Sequence, residues 1–350
     1  MIESEQNGAG MFAGRMVGTI AQGARRMGGR RAWPPYELID RDAIERAEAK
    51  SRRLERLYHL TQEHAWDGKA VLGALVDKHG QPGRDMDPEI RESLTQVLAV
   101  LLWGELAAWT ISADLALAIE DMDAKMAATG QVFDEARHFY VLRDYLVLLA
   151  GEDRVPPLGG LPRRLLLDVM ETPSLAKKLV GMQLLFETNA VVIFRRLAES
   201  GVCPVLTELL PYFERDESRH VGLGVIFLPR LIERMSRGEA TGVAAFHLRC
   251  IAMLIGGGFM LRQHFEALGL DQRLMATRVT TMQDEIVRQM VQAHGSGIVR
   301  ALLNPKASPL GPRVLDFIPP PGGLAGAPDW HRSLHAGVTR VVKAVDRALA

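Results

Sequence analysis

The stretch DEARH, residues 134–138, returns as DESRH at residues 216–220. The glutamates are 82 positions apart (217 minus 135), and so are the histidines (220 minus 138). The same offset reaches backwards: Glu105 in LLWGELAAW stands 82 residues before Glu187 in LLFETNAVV, each shortly after a Leu-Leu pair. Each half therefore reads Glu, an interval of 30 (135 minus 105; 217 minus 187), then Asp-Glu-x-Arg-His. Outside these motifs the halves share little, so what repeats is a geometry more than a sequence.

An interval of 30 acquires meaning if each half is an antiparallel helix pair. Two glutamates about midway along successive helices come level when the turn lies halfway between them, near residue 120 and near residue 202. LAIEDMD and LAESGVCP interrupt the apolar pattern at those places. Within Glu-x-x-His, residues i and i+3 share a helix face about 4.5 Å apart along the axis, so a carboxylate and an imidazole can converge on one ion. Two such hairpins packed together predict an all-α four-helix bundle holding four glutamates and two histidines inside. Four buried carboxylates without counter-charge are prohibitive, and two divalent cations would neutralise them. Oxygen and imidazole donors without thiolate favour iron or manganese over structural zinc. A lone Glu-x-x-His usually marks an exposed helical ion pair; two copies, each preceded by a glutamate among apolar residues, argue against that reading.

The remainder of the chain frames this unit. At 350 residues and 47% hydrophobic it has ample material for a core. Forty-two basic and 42 acidic residues cancel, leaving no electrostatic drive toward nucleic acid. Cys203 and Cys250 form no CxxC pair, which speaks against a disulfide scaffold or zinc ribbon and for a reducing, cytoplasmic setting. The N-terminal stretch MFAGRMVGTIAQGARRMGGRR is broken by Arg15, Gln22 and glycines, unlike a secretory signal. The most apolar windows carry Glu105 and the pair His247 and Arg249, and so read as buried helices of a soluble protein, with no transmembrane segment.

Three regions are expected: a flexible basic arm over 1–37, a helical domain over 38–300, and a Pro/Gly-rich extension over 301–350 ending in a helix from about Trp330. Breaks are expected at HGQPG (79–83), GEDRVPPLGGLP (151–162), SGVCP (200–204) and MSRGEATG (235–242). In the arm, Phe12, Met16 and Ile20 beside Arg15, Arg25 and Arg26 would suit a weak membrane-surface contact through residues 11–31, although a loose tail suits the composition better.

Over residues of about 90 to 235 the constellation resembles the ferritin-like di-iron carboxylate superfamily, in which two helices each give a Glu and two others each give Glu-x-x-His. It looks closest to the branch with the ribonucleotide reductase small subunit, the acyl-carrier-protein desaturases, the multicomponent monooxygenase hydroxylases and the related ligand-binding oxidases. The resemblance implies that Glu105, Glu135 and His138 hold one ion and Glu187, Glu217 and His220 the other, with Glu135 and Glu217 bridging. The cofactors implied are two iron ions, or manganese with iron, and O2 as co-substrate. Asp216 would hydrogen-bond the far nitrogen of His138, and Asp134 that of His220; the alternative for each is a surface ion pair with Arg137 or Arg219.

The expected activity is that of an O2-activating oxidase or oxygenase on an apolar, fatty-acyl or lipid-like substrate, with an external electron-donor protein and a homodimeric assembly. The alternative is a ferroxidase or iron-handling protein without organic substrate, which about 90 residues before the bundle and over 100 after it disfavour. Departures narrow the branch. Leu142 replaces the radical-forming tyrosine of the reductase, leaving Tyr145 two turns beyond His138. Phe213 stands where arylamine oxygenases carry an extra histidine. Ala190 replaces the desaturase threonine, with Thr188 and Thr110 as candidates for a polar group near oxygen. Leu102, Trp109, Leu142, Val191, Phe194, Phe213 and Phe227 are candidate pocket walls, and the glycines at 256–258 a site of close packing or a channel. His59, His64, His79, His247 and His264 lack ligand spacing and read as packing or surface residues.

Overall fold

The computed structural model describes residues 52–151, 155–294, 318 and 329–349. The basic arm with its membrane-surface reading, the start of the helical domain at 38, and most of the extension from 301 lie outside the described residues. Among the described residues every regular element is helical: α1 (Arg52–Glu63), α2 (Gly68–His79), α3 (Pro88–Ala118), α4 (Met122–Ala150), α5 (Gly160–Glu171), α6 (Leu175–Leu179), a π-helical stretch (Val180–Phe186), α7 (Glu187–Ser200), α8 (Pro204–Glu233), α9 (Arg237–Met260), α10 (Arg262–Ala267), α11 (Gln272–His294) and α12 (Asp329–Leu349).

Local chemistry sets the ends of the helices that matter. Asp87 caps α3 by accepting from the backbone N–H of Glu89, with Pro88 supplying the fixed φ of a first turn. Asp121 caps α4 by accepting from Ala124 N–H, and Gly151 ends it in the left-handed region at φ 75°. Gly201 ends α7 at φ 65°, and Pro204 opens α8. The expected turns near 120 and 202 are thus the short links 119–121 and 201–203.

Those links put the four glutamates level. Glu105 lies 13 residues before the end of α3 (118 minus 105) and Glu135 lies 13 after the start of α4 (135 minus 122). Glu187 lies 13 before the end of α7 (200 minus 187) and Glu217 lies 13 after the start of α8 (217 minus 204). At 1.5 Å per residue each sits about 20 Å from its turn. The most extensive helix pairings are α3 with α4 and α7 with α8, and α8 also packs on α4 and on the π-helical stretch.

Two apolar clusters surround this level. One joins Ile111, Leu115 and Ala124 to Leu184, Leu228 and Val243; the other joins Leu98, Leu142 and Tyr145 to Phe194, Leu206 and Phe213. By length and composition α3 and α9 could each cross a membrane; α3 packs along α4 and carries a buried glutamate instead. The break expected over 235–242 is shorter than expected. Ser236 caps α9 in a reciprocal bond with Glu239, so the helix runs straight through GEATG. It also runs through the three glycines. A Cβ at Gly256 would come within 3.1 Å of Leu161 and one at Gly257 within 3.3 Å of Pro162, so two of them serve close approach to α5. Both cysteines are free and buried.

Candidate metal centre

The six side chains singled out by the repeat meet in one buried cluster. Glu105, Glu135, His138 and Glu217 place donor atoms within 4.8 Å of one another, and so do Glu135, Glu187, Glu217 and His220. Glu135 and Glu217 belong to both groups. The two groups follow the division that the family resemblance implies, with Glu135 and Glu217 common to both. None of the six is more than 5% exposed.

The imidazoles are oriented alike. His138 turns Nδ1 toward the carboxylates, 3.0 Å from Glu217 and 3.6 Å from Glu105 and Glu135. Its Nε2 lies 3.2 Å from Asp216. His220 turns Nδ1 toward Glu217 at 2.8 Å and Glu135 at 3.0 Å, with Nε2 3.3 Å from Asp134. An ionised Asp only accepts, so each Nε2 carries a proton and donates to it, and Nδ1 is the nitrogen turned toward the glutamates.

The two aspartates are not at the surface. Both are fully buried, and Arg137 and Arg219 close a ring with them: Arg137 donates to Asp134 and, at 2.8 Å, to Asp216, while Arg219 donates to Asp134 at 3.1 Å and Asp216 at 2.7 Å. Each Asp therefore both pairs with arginine and holds an imidazole. Every polar letter of DExRH has a task, because the motif occurs on α4 and α8 and each copy completes the other. From sequence the arginines entered only as surface ion-pair partners, an alternative to the imidazole bond; the ion pairs form, but buried and together with that bond.

Three further residues join the site. Trp66, between α1 and α2, donates its indole N–H to Asp216 at 2.8 Å and lies against Arg137. Gln131, one turn before Glu135, donates to Glu135 at 3.1 Å and to Glu187 at 2.7 Å. Gln183, in the π-helical stretch, donates to Gln131. Only Gln131 had a legible signal, an amide at i−4 on the face of Glu135.

The π-helical stretch ends at Glu187, and such insertions leave carbonyls to be satisfied by other groups. Thr188 Oγ1 donates to Leu184 O at 2.6 Å, Asn189 to Leu185 O, and Gln283 of α11 to Leu184 O at 2.8 Å. The Thr188 hydroxyl is thus committed to backbone, and Thr110 is exposed and bonded to its own helix; neither is the free polar group anticipated from sequence. Tyr145 is buried beside Cys203, and burial followed by that thiol pushes its hydroxyl well above the usual range. Phe213 stacks on the His138 ring with centroids 4.5 Å apart.

The charges ask for cations. With every carboxylate ionised and both imidazoles neutral, four glutamates and two aspartates against two arginines leave four negative charges, which two divalent ions would balance; without such ions protons take up that charge. Burial, then the charge of Glu217, pushes Glu105 and Glu187 well above the carboxylate range. Burial would also raise Glu217, but the bond from Glu187 and the charges of His220 and His138 outweigh it and hold it low. Burial opposes protonation of both histidines, yet the carboxylates around them push both well above the ordinary value. Glu135 Oε2 and His138 Nδ1 are buried without a hydrogen bond, which a ligated metal would explain. Carboxylate oxygens and imidazole nitrogens at this spacing could hold a metal ion.

One side of the cluster opens on an apolar cavity of about 310 Å³, whose lining includes Glu105, Glu187 and Glu217 together with α5, the π-helical stretch, α9 and α11. None of the seven residues anticipated as pocket walls lines it. Leu102, Leu142, Val191, Phe194, Phe213 and Phe227 are buried core, and Trp109 is 37% exposed. The cavity lies along neighbouring faces, those of Val100, Gly104 and Ala108 on α3 and of Ala190 and Ile193 on α7. The other histidines stay apart: His79 pairs with Glu208, His264 with Ser93, His59 lies near Glu55, His64 gives its backbone carbonyl to Arg215, and His247 is buried on α9. The chain matches no protein-family model, no curated protein and no solved structure.

Proposed function

We propose that α3, α4, α7 with its π-helical entry, and α8 form a ferritin-like four-helix bundle around a di-metal centre, and that the protein is an O2-activating oxidase or oxygenase for an apolar organic substrate. The observation that supports it best is the convergence of both Glu-x-x-His motifs and both lone glutamates, buried, with the apolar cavity opening beside them.

Glu105, Glu135 and His138 would hold one ion and Glu187, Glu217 and His220 the other. A bound iron pair, or manganese with iron, supplies reversible electron transfer to O2. Glu135 and Glu217, reaching both groups, tie the two positions together. Asp134 and Asp216 fix the tautomer of His220 and His138 and raise their basicity as ligands. Gln131 steadies Glu135 and Glu187 by donating to both. The apolar lining keeps water from the reacting bond and presents a hydrocarbon to the carboxylate edge of the cluster. None of these side chains is a reductant, so electrons must come from a donor outside the chain. An iron-handling protein has no need of an apolar cavity beside its ions, and the cavity favours the organic substrate.

Oxygen consumption by the reduced, iron-loaded protein tests this reading. The expected result is uptake that couples to oxidation of an added hydrocarbon-chain compound. Turnover of many ferrous ions per chain with no organic product would establish the ferroxidase reading instead.

A further inference from the structure

Glycine inside a helix is unfavourable relative to alanine, so each instance asks for a reason. Near the cluster most have one. A Cβ at Gly181 would lie 2.6 Å from Val169, one at Gly224 2.6 Å from Gln183, and one at Gly130 3.0 Å from Thr61. Gly104 is different: it sits inside α3, immediately before Glu105, and a Cβ there would meet nothing within 4 Å. Gly104 lines the cavity, on one stripe with Val100 and Ala108 at i−4 and i+4. Across the cavity Gly258 repeats the pattern, its nearest neighbour being Gln272 at 3.8 Å. Among the described residues, the space beside Gly104 is open and that beside Gly258 is touched only by Gln272.

The charges of the lining are one-sided. Glu105, Glu187 and Glu217 reach the cavity, and no Lys, Arg or His lines it among the described residues. The same three are assigned to the two ions in the proposed function, so the part of the cavity left to a ligand is the rest of its lining. The remaining lining is aliphatic and aromatic apart from Asn189, Gln272, Thr280 and Gln283. All three amides are already engaged, Asn189 with Leu185 O, Gln272 with Gly258 O and Gln283 with Leu184 O.

We propose that Gly104 sets how closely a hydrocarbon-chain molecule bound in the cavity approaches Glu105. As a substrate site this rests on the proposed function; as a binding site it does not.

Calorimetric titration of the full-length protein with 1-decanol near neutral pH tests it, with metal content measured on the same samples. The wild type is expected to bind one decanol. Gly104→Leu is expected to weaken decanol at least about tenfold while keeping its metal and its helical spectrum, and Gly104→Ala to do so less. Val100→Phe, on the same stripe, provides a second obstruction. No decanol binding by the wild type, or unchanged binding in both Gly104→Leu and Val100→Phe, would overturn the proposal. Two ions per chain without decanol binding would sink this inference alone; decanol binding by a chain that takes up no metal would sink the proposed function alone.

Discussion

Asp216 accepts from Nε2 of His138 at 3.2 Å across 78 residues of sequence, and the same oxygen accepts from Trp66 at 2.8 Å. Asp134 does the same for His220 at 3.3 Å. The crossing makes the two halves interdependent. Replacing Asp216 with Ala should lower divalent-metal affinity by about 10- to 100-fold in competition with a chelator, because His138 loses its anchor. It should also cost about 3–5 kcal/mol in denaturant unfolding, because Arg137 and Arg219 then share one buried carboxylate. Asp134→Ala should behave alike; a neutral effect of either would separate the ring from the centre.

Gln131 predicts a smaller loss. Its amide donates to Glu135 and Glu187 and accepts from Gln183, all buried. Gln131→Leu should destabilise the protein by about 1–3 kcal/mol, chiefly through the unmatched Gln183 amide. Urea unfolding of the two proteins checks this.

The approach of the π-helical stretch to α8 depends on Gly224, where a Cβ would lie 2.6 Å from that of Gln183. Gly224→Ala should cost about 1–3 kcal/mol despite the better helix propensity of alanine. Gly73→Ala, on exposed α2 with nothing within 4 Å, should be neutral or stabilising by up to about 1 kcal/mol. Thermal midpoints moving in the same direction for both variants would contradict the packing assigned here.

How much of this was legible depends on range. The six cluster residues and the turns at 119–121 and 201–203 could be read because a repeat of 82 and an interval of 30 are properties of the chain itself, whereas the crossing of Asp134 and Asp216 was implied by the family resemblance alone. Trp66 was hidden because its partner Asp216 is 150 residues away. The π-helical stretch was hidden because VGMQLLF has an ordinary helical composition, and its stability comes from Thr188, Asn189 and Gln283 outside it. The pocket walls were misjudged for a related reason. Helical spacing from a ligand shows that a residue is near the site, not on which side of the bundle the additional helices leave space.

His247 gives the pH prediction. Burial lowers its pKa to about 4, so the folded protein keeps it neutral while the unfolded chain protonates near 6.5. The unfolded state therefore binds the extra proton, and stability that is full above pH 6.5 falls as pH drops toward 4. Relative to His247→Leu, the wild type should lose about 2–3 kcal/mol between about pH 7 and pH 4.5. Urea midpoints at the two pH values measure it, and parallel changes in both proteins would assign the loss to other groups.

The most direct measurement is metal content of the protein purified from iron- and manganese-supplemented cells. Glu135 and Glu217 each belong to both donor groups, so each substitution should impair both positions. About two ions per chain are expected in the wild type, with a marked loss in Glu135→Ala and in Glu217→Ala. Full stoichiometric metal retained by both variants, or none in the wild type, would contradict the di-metal centre.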